Sequence, residues 1–150
     1  MLVGYPLLRV IETQAESLAS GLLERIRSDP RTEEYARHVP DDELRQRVFE
    51  IYSDLTGWLL RKSEDDAAQR YFQIGARRAR QGLPLSQLVA AIVLTKENMW
   101  SYLERHTPLA QPDHVFGELE VLRAMDRFFD TAITNAVRGH ESEQCPERAA

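Results

Sequence analysis

Three charged residues interrupt the apolar stripes of the sequence: Arg78, Lys96 and Asp126. Each follows an apolar residue of its own stripe by four positions, and residues four apart share one face of a helix. The spacing therefore predicts that all three side chains point toward an interior. Because an unpaired ion is very costly there, each must find an opposite charge, extend its charged end to solvent, or hold a ligand.

Two interpretations fit this pattern. The first is an internal ion pair between Asp126 and either Arg78 or Lys96, with one cationic side chain reaching the surface. The second is a small polar spot inside a helical pocket, where Arg78, Lys96 and Asp126 bind an anionic or carboxylate ligand. Spacing along the sequence does not separate the two.

Residue patterns typical of catalysis or of metal binding are missing from the sequence. It has no glycine-rich phosphate loop, no His-Glu-x-x-His and no Gly-x-Ser-x-Gly. The histidines His38, His106, His114 and His140 fall at predicted turns, helix ends or the C-terminal tail. A single cysteine, Cys145, excludes an internal disulfide and a multi-thiolate metal site. We therefore predict no enzyme activity, no metal site and no cofactor.

Composition and charge predict one soluble domain. The chain has 150 residues, of which 43% are hydrophobic and 29% charged, a balance typical of globular proteins. Its 19 Lys and Arg residues against 24 Asp and Glu give a net charge of -5, which disfavours nucleic acid and anionic membranes as partners. No apolar run approaches the roughly 18–20 residues of a membrane span, so we expect a cytoplasmic location.

The elements that must position these residues are helices, because apolar residues recur three and four positions apart along the chain. A short turn is expected over residues 31–37, and no segment shows the sustained alternation of a strand. The predicted fold class is all-α, a single-domain bundle of about five main helices over residues 1–138 with a disordered tail over 139–150. The predicted helices run from about Leu7 to Ile26, Pro40 to Leu59, Ser63 to Gly82, Pro84 to Leu103, and Asp113 to Arg138.

Two signals bound the predicted helix that carries Arg78. Ser63 and Asp66 have the spacing of a capping box, so a helix should begin there. Gly82 suits the position just after a helix, where the chain turns in a left-handed conformation. Pro84 then favours the first turn of the next helix.

The first and fifth predicted helices are apolar over more than one face. The fifth carries a second strip formed by Val121, Met125 and Phe128, and the first is widened by Leu8 and Ala15, among others. Such a helix usually has two packing partners. Either both helices are central in the bundle, or the strips meet in a subunit contact. We expect a homodimer that uses these residues.

Residues 75–85, with the sequence GARRARQGLPL, resemble the proximal region of the globin-coupled sensors. In those proteins a helix carrying the haem-binding histidine ends at a Gly-Leu pair, and a new helix starts after a proline. The segment from about Asp41 to His106 resembles still more closely the N-terminal sensor domains of stressosome co-antagonists of the RsbR/RsbRD type, a non-haem branch of the globin-like fold. Gly82-Leu83 matches the Gly-Leu pair, and the position of the haem-ligating histidine falls on Arg78.

This resemblance implies a globin-like fold without haem, because an arginine side chain stays protonated and cannot ligate iron. It also implies a dimeric signal-input module that usually lies upstream of an output domain. The sequence contains no output domain, so we expect either a stand-alone relative or an excised domain.

The function we expect is that of a non-enzymatic sensory or regulatory module of a bacterial-type stress-signalling system. A ligand or partner would shift the packing of its helices, and the homodimer would pass the shift to a downstream protein that the sequence does not identify. One alternative is a haem-binding gas sensor that recruits His106 or His38 as its ligand. Another is a protein-interaction scaffold that binds no ligand.

Overall fold

The computed structural model describes the backbone of residues 6–106 and 112–144 and the side chains of residues 7–105 and 119–144. Within these ranges the chain is helical and has no strand, which confirms the all-α class. A 3-10 helix (Pro30–Thr32) and a π-helix (Gly57–Arg61) accompany the α-helices. These are α1 Pro6–Thr13, α2 Ala15–Ser28, α3 Glu33–His38, α4 Asp41–Ser53, α5 Glu64–Arg80, α6 Leu85–His106 and α7 Pro112–Gln144.

The first predicted helix is bent into two parts at Gln14. Its backbone leaves the helical region there, with φ -105° and ψ 20°. Hydrogen bonding nevertheless continues across the bend, because the Gln14 amide donates to the Val10 carbonyl and the Gln14 carbonyl accepts from Leu18. The predicted helix from Leu7 to Ile26 is therefore present as α1 and α2, which are separated by the single residue Gln14.

The segment predicted as a short turn over residues 31–37 is helical. Asp29 begins it, since its carboxylate accepts a hydrogen bond from the Arg31 amide at 2.8 Å. The Thr32 hydroxyl then donates to the carbonyl of Ile26 at 2.7 Å inside the core. This anchoring allows the short α3 to pack on α2 and α6, although its sequence is too brief to show a helical period.

Both predicted ends of α5 are confirmed. The Ser63 hydroxyl accepts from the Asp66 amide at 3.1 Å, and the Asp66 carboxylate accepts from the Ser63 amide at 2.9 Å. At the other end Gly82 has φ +84°, a conformation that costs little only for glycine. The Leu83 amide there donates to the Arg78 carbonyl at 3.0 Å, the long bond of a Schellman turn.

Helices α5 and α7 run side by side in the same direction at very short range. Thr131 contacts Glu64 near the start of α5, and Glu143 contacts Arg80 at its end. A Cβ atom at Gly75 would collide with the carbonyl oxygen of Ala136, and one at Gly139 with that of Phe72. Two glycines, one on each helix, therefore allow the two backbones to touch.

Apart from Arg78, the polar residues buried among the described ones bond to backbone carbonyls. Asn98 of α6 donates to the Leu18 carbonyl of α2 at 3.0 Å. The Tyr52 hydroxyl of α4 donates to the Thr95 carbonyl of α6 at 2.8 Å. These two bonds join α6 to its neighbours α2 and α4.

The predicted tail begins too early. Helix α7 continues six residues past Arg138 to Gln144, so residues 139–144 are helical. The reason is tertiary: Gly139 lies against α5, and His140 is fully buried. The prediction that placed His140 in a disordered tail is therefore wrong. Residues 145–150, including Cys145, lie outside the described part of the chain.

The residues predicted to form a subunit contact lie inside the core of a single chain. None of the five exceeds 5% exposure. The apolar strips on the first and fifth predicted helices thus agree with the alternative interpretation, in which both helices are central in the bundle. The five residues are Leu8, Ala15, Val121, Met125 and Phe128.

Candidate functional site

Arg78 is the largest fully buried side chain among the described residues, with 1% of it exposed. Its Nε donates to the Tyr35 hydroxyl oxygen at 2.9 Å. Its Nη1 donates to Glu43 at 2.7 Å and to the Gln81 side-chain oxygen at 3.0 Å. We call these four residues, together with Arg77, the Arg78 cluster. It joins the end of α5 to α3 and to the first turn of α4.

Glu43 is the carboxylate that compensates this buried charge. It also accepts from Arg77, whose Nε lies 2.5 Å from Glu43 Oε1. The hydrogen bond from Arg77 and the bond and charge of Arg78 outweigh desolvation and lower the pKa of Glu43 from 4.5 to about 2. Glu43 therefore stays ionised at neutral pH, while the two arginines leave the cluster with one net positive charge.

Tyr35 connects the cluster to the centre of the bundle. Its ring lies 5.6 Å from the Arg78 guanidinium carbon, and its amide donates to the Gln87 side chain of α6 at 3.1 Å. Burial raises the pKa of Tyr35 more than the charge of Arg78 lowers it, so the phenol keeps its proton. Four helices thus meet at Arg78.

The structure does not bring the three predicted site residues together. Arg78 is buried and paired, as the ion-pair interpretation requires, but its partner is Glu43. Asp126 is exposed on α7, and Lys96 is half-buried on α6. Neither forms an ion pair with the described part of the chain. The predicted pairing of Asp126 with Arg78 or Lys96 is therefore wrong.

One error of helical phase explains both this pairing and the predicted subunit contact. The face of α7 taken as inward contains Leu119, which is 45% exposed, and Asp126. The strip of Val121, Met125 and Phe128 is the buried face instead. Both faces are apolar over a few turns, so hydrophobicity alone did not distinguish them.

Glu43 and Tyr35 are the residues of the site that sequence reasoning missed. Glu43 stands among acidic residues at the start of α4, where a carboxylate also favours a helix N-terminus. Tyr35 lies in the segment predicted as a turn. Neither position carried a signal that points to Arg78, because the contacts span 35 and 43 positions of the chain.

The turn after Arg78 links the cluster to α7. Leu83 lies in this turn, and its amide donates a hydrogen bond to the Arg78 carbonyl at 3.0 Å. The carbonyl of the same Leu83 is 2.6 Å from His140 Nε2. A carbonyl only accepts, so His140 donates from Nε2, and its buried Nδ1 has no partner among the described residues. The end of α7 is thereby attached to the turn that Arg78 stabilises.

A cavity of about 50 Å³ lies beside Arg78, between α4, α5 and α6. Pockets for drug-sized ligands measure about 300–1,000 Å³, so this one does not accommodate haem. Arg78, which the resemblance to globin-coupled sensors places at the position of the haem-ligating histidine, bonds to Glu43 and Tyr35. His38 bonds through Nδ1 to the Glu34 carbonyl at 2.9 Å, and the side chain of His106 lies outside the described residues. The residues around the cavity thus do not fit a haem group.

A comparison with models of known protein families identifies the family of this chain. A model described as the RsbT co-antagonist protein rsbRD N-terminal domain matches residues 16–145. The chain belongs to this family. The match spans α2 to α7, with the Arg78 cluster and the turn beyond it, and it confirms the resemblance drawn from residues 75–85.

Membership makes this an RsbRD N-terminal domain, a regulatory domain of stress signalling. The curated proteins contain no match to the chain, and neither do the solved structures. No helix within the described ranges is long and apolar enough to cross a membrane. The globin-like fold stays a prediction.

Proposed function

We propose that this RsbRD N-terminal domain is a non-enzymatic signal-input module that works by shifts in helix packing. It acts in the cytoplasm as a homodimer and passes its state to a downstream signalling protein. The family description names a co-antagonist of RsbT. Accordingly, the output of the domain bears on RsbT through a partner still to be identified.

The observation that carries this proposal is the double role of Leu83. Its amide bonds to Arg78 of the cluster, and its carbonyl bonds to His140 of α7. A change in the hydrogen bonds of Arg78 alters the last turn of α5 and, with it, the position of the Leu83 carbonyl. Because α5 and α7 touch through glycines, they resist gradual sliding and favour discrete packing arrangements.

The chemistry of the cluster suits switching rather than catalysis. Its two arginines share one carboxylate and hold fixed positive charges, and its phenol keeps its proton. No member is a nucleophile with an adjacent base. What the cluster provides is a set of exchangeable hydrogen bonds at a junction of helices, and a signal that favours one arrangement shifts the population toward it.

A double-mutant cycle tests the link between the cluster and α7. Glu43→Gln removes the charge that holds Arg78, and His140→Phe removes the bond to Leu83. If the turn couples them, the free energies of unfolding of the single variants will not add. We expect an interaction of at least about 0.5 kcal/mol, measured by urea unfolding of both single variants and the double variant.

The matched control pairs Glu43→Gln with Thr131→Ala. Thr131 is also on α7, but its side chain contacts Glu64 at the far end of α5. Here we expect additivity within about 0.3–0.5 kcal/mol. If the His140 cycle is equally additive, the proposed transmission through Leu83 is wrong.

A further inference from the structure

The cavity beside Arg78 has a wall rich in hydrogen-bond donors and without acids. Arg47, Arg78 and Tyr35 line it together with apolar side chains of α4, α5 and α6. No acidic side chain from the described part of the chain lines it. Glu43 compensates Arg78 from outside this wall and is shared with Arg77.

Two polar groups of the wall, Arg78 and Tyr35, have unused donor capacity, whereas the hydroxyl of Thr95 in the same wall donates to the Ala91 carbonyl at 2.8 Å. Arg78 uses Nε and Nη1, whereas the described residues supply no acceptor for its Nη2. The Tyr35 oxygen accepts from Arg78, and its own proton has no acceptor among the same residues. Arg78 is 1% exposed and its Nη2 is not fully enclosed by protein, so a small molecule in the cavity can reach this donor.

Arg47 adds a second guanidinium without a hydrogen-bonded acid. It is half-buried and forms neither a hydrogen bond nor an ion pair with the described residues. Glu50 is close enough for Arg47 to contribute to its lowered pKa. Both oxygens of Glu50 already have partners, however, since Gln46 donates to Oε1 and Arg70 to Oε2. The charge of Arg47 is therefore available to a ligand.

We propose that this cavity binds a small monocarboxylate of two or three carbons, held by Arg47, Arg78 and the Tyr35 hydroxyl. The flat fork of a guanidinium matches a carboxylate group. A volume of about 50 Å³ holds about three to five non-hydrogen atoms, which is the size of acetate or propionate. The apolar wall contributed by Leu44, Val48 and Ile92 suits the methyl or ethyl end.

This ligand deepens the proposed function, because an anion at Arg78 Nη2 would share the positive charge that Glu43 compensates at Nη1. The proposal that this ligand acts as a signal rests on the proposed function. The proposal that the ligand binds does not, since binding is measured independently of transmission to α7. Failure to bind would leave the coupling between Glu43 and His140 intact. Failure of that coupling would leave the binding site intact.

The test is a titration of the full chain with sodium acetate, and amide proton–nitrogen correlation spectra are recorded at each step. A parallel titration with sodium chloride at equal ionic strength is the control. We expect saturable shifts around the cavity with acetate and none with chloride. Propionate should behave like acetate, whereas hexanoate should not bind because its chain exceeds the cavity. Equal shifts with chloride, no saturation with acetate, or equal binding of hexanoate would each overturn the proposal.

Two arginines of the same helix provide matched variants. Arg47→Gln should weaken acetate binding by about tenfold or more, because it removes a charge-assisted hydrogen bond. Arg45→Gln removes the same charge from an exposed side chain that pairs with Glu16 and does not line the cavity. It should bind acetate like the wild type. If the two variants bind acetate with equal affinity, the proposed site is wrong, whether that affinity is higher than, lower than or the same as that of the wild type.

Discussion

At the scale of the residue, the central feature is a buried arginine that depends on one carboxylate. Arg78 keeps 1% of its surface exposed, and Glu43 supplies the charge that compensates it. Removing one partner of a buried pair leaves an ion without compensation, which costs much more than losing a surface pair. The junction of four helices thus depends strongly on Glu43.

We predict that Glu43→Gln lowers the free energy of unfolding by about 3 kcal/mol. The amide can still accept one hydrogen bond, but it does not neutralise the charge of Arg78. Urea unfolding followed by circular dichroism measures the change. Glu33→Gln is the control, since Glu33 pairs with Arg37 where both side chains are more than 60% exposed, and its loss should cost at most about 1 kcal/mol. Equal effects of the two would show that Arg78 does not need Glu43.

The same carboxylate predicts a dependence of stability on pH. Folding lowers the pKa of Glu43 from 4.5 to about 2, so the folded state favours its ionised form. Its contribution is therefore complete above about pH 4.5 and is lost as the pH falls toward 2. Urea unfolding at several values of pH across this range should show a smaller loss of stability in Glu43→Gln than in the wild type. Parallel curves for the two proteins would contradict the assignment.

At the scale of the element, the contact between α5 and α7 depends on the absence of side chains. Gly75 lies against the carbonyl of Ala136, and Gly139 lies against that of Phe72. The burial of His140 follows from this approach, because a wider spacing would open the end of α7 to solvent. The helix pair that carries the proposed signal is therefore also the most closely packed.

We predict that Gly75→Ala destabilises the domain by about 3 kcal/mol, because the new Cβ forces two backbones apart. Gly21→Ala is the matched control within another helix. Its Cβ would meet only Asn98 Oδ1 at 3.8 Å, an ordinary contact, so it should stabilise by roughly 0.5–1 kcal/mol. Thermal unfolding of both variants measures the difference. A Gly75→Ala protein as stable as Gly21→Ala would mean that the helices are not in backbone contact.

At the scale of the whole molecule, the proposed homodimer needs a surface other than the predicted strips, whose residues are buried. The large hydrophobic side chains that stay exposed among the described residues are Phe49, Leu60 and Leu119. Leu119, on α7, is the most exposed of the three at 45%. We therefore propose that the dimer uses the exposed side of α7 around Leu119.

We predict that native mass spectrometry detects a dimer and that Leu119→Glu lowers its fraction, since a buried charge without a partner opposes association. Phe49→Glu changes another exposed apolar residue, which lies on α4 and is 37% exposed, and should leave the dimer unchanged. A wild-type monomer at micromolar concentration would contradict the dimer. Equal loss with both variants would contradict the contact on α7.

Taken by itself, the sequence determined the features that depend on neighbouring residues. The helical class follows from apolar spacing, and the ends of α5 follow from Ser63, Asp66 and Gly82, because caps act over three or four positions. The inward position of Arg78 follows from the same spacing. The family follows from a short segment, residues 75–85, which the match to residues 16–145 extends.

Only the tertiary structure decided which surfaces meet. The partner of Arg78, the inward face of α7 and the burial of His140 all depend on contacts between residues distant in the chain. A helix that is apolar on two faces has two nearly equal orientations by hydrophobicity, and steric fit chooses between them. Here the glycines of α5 and α7 make that choice, because only one rotation brings both against the opposite backbone.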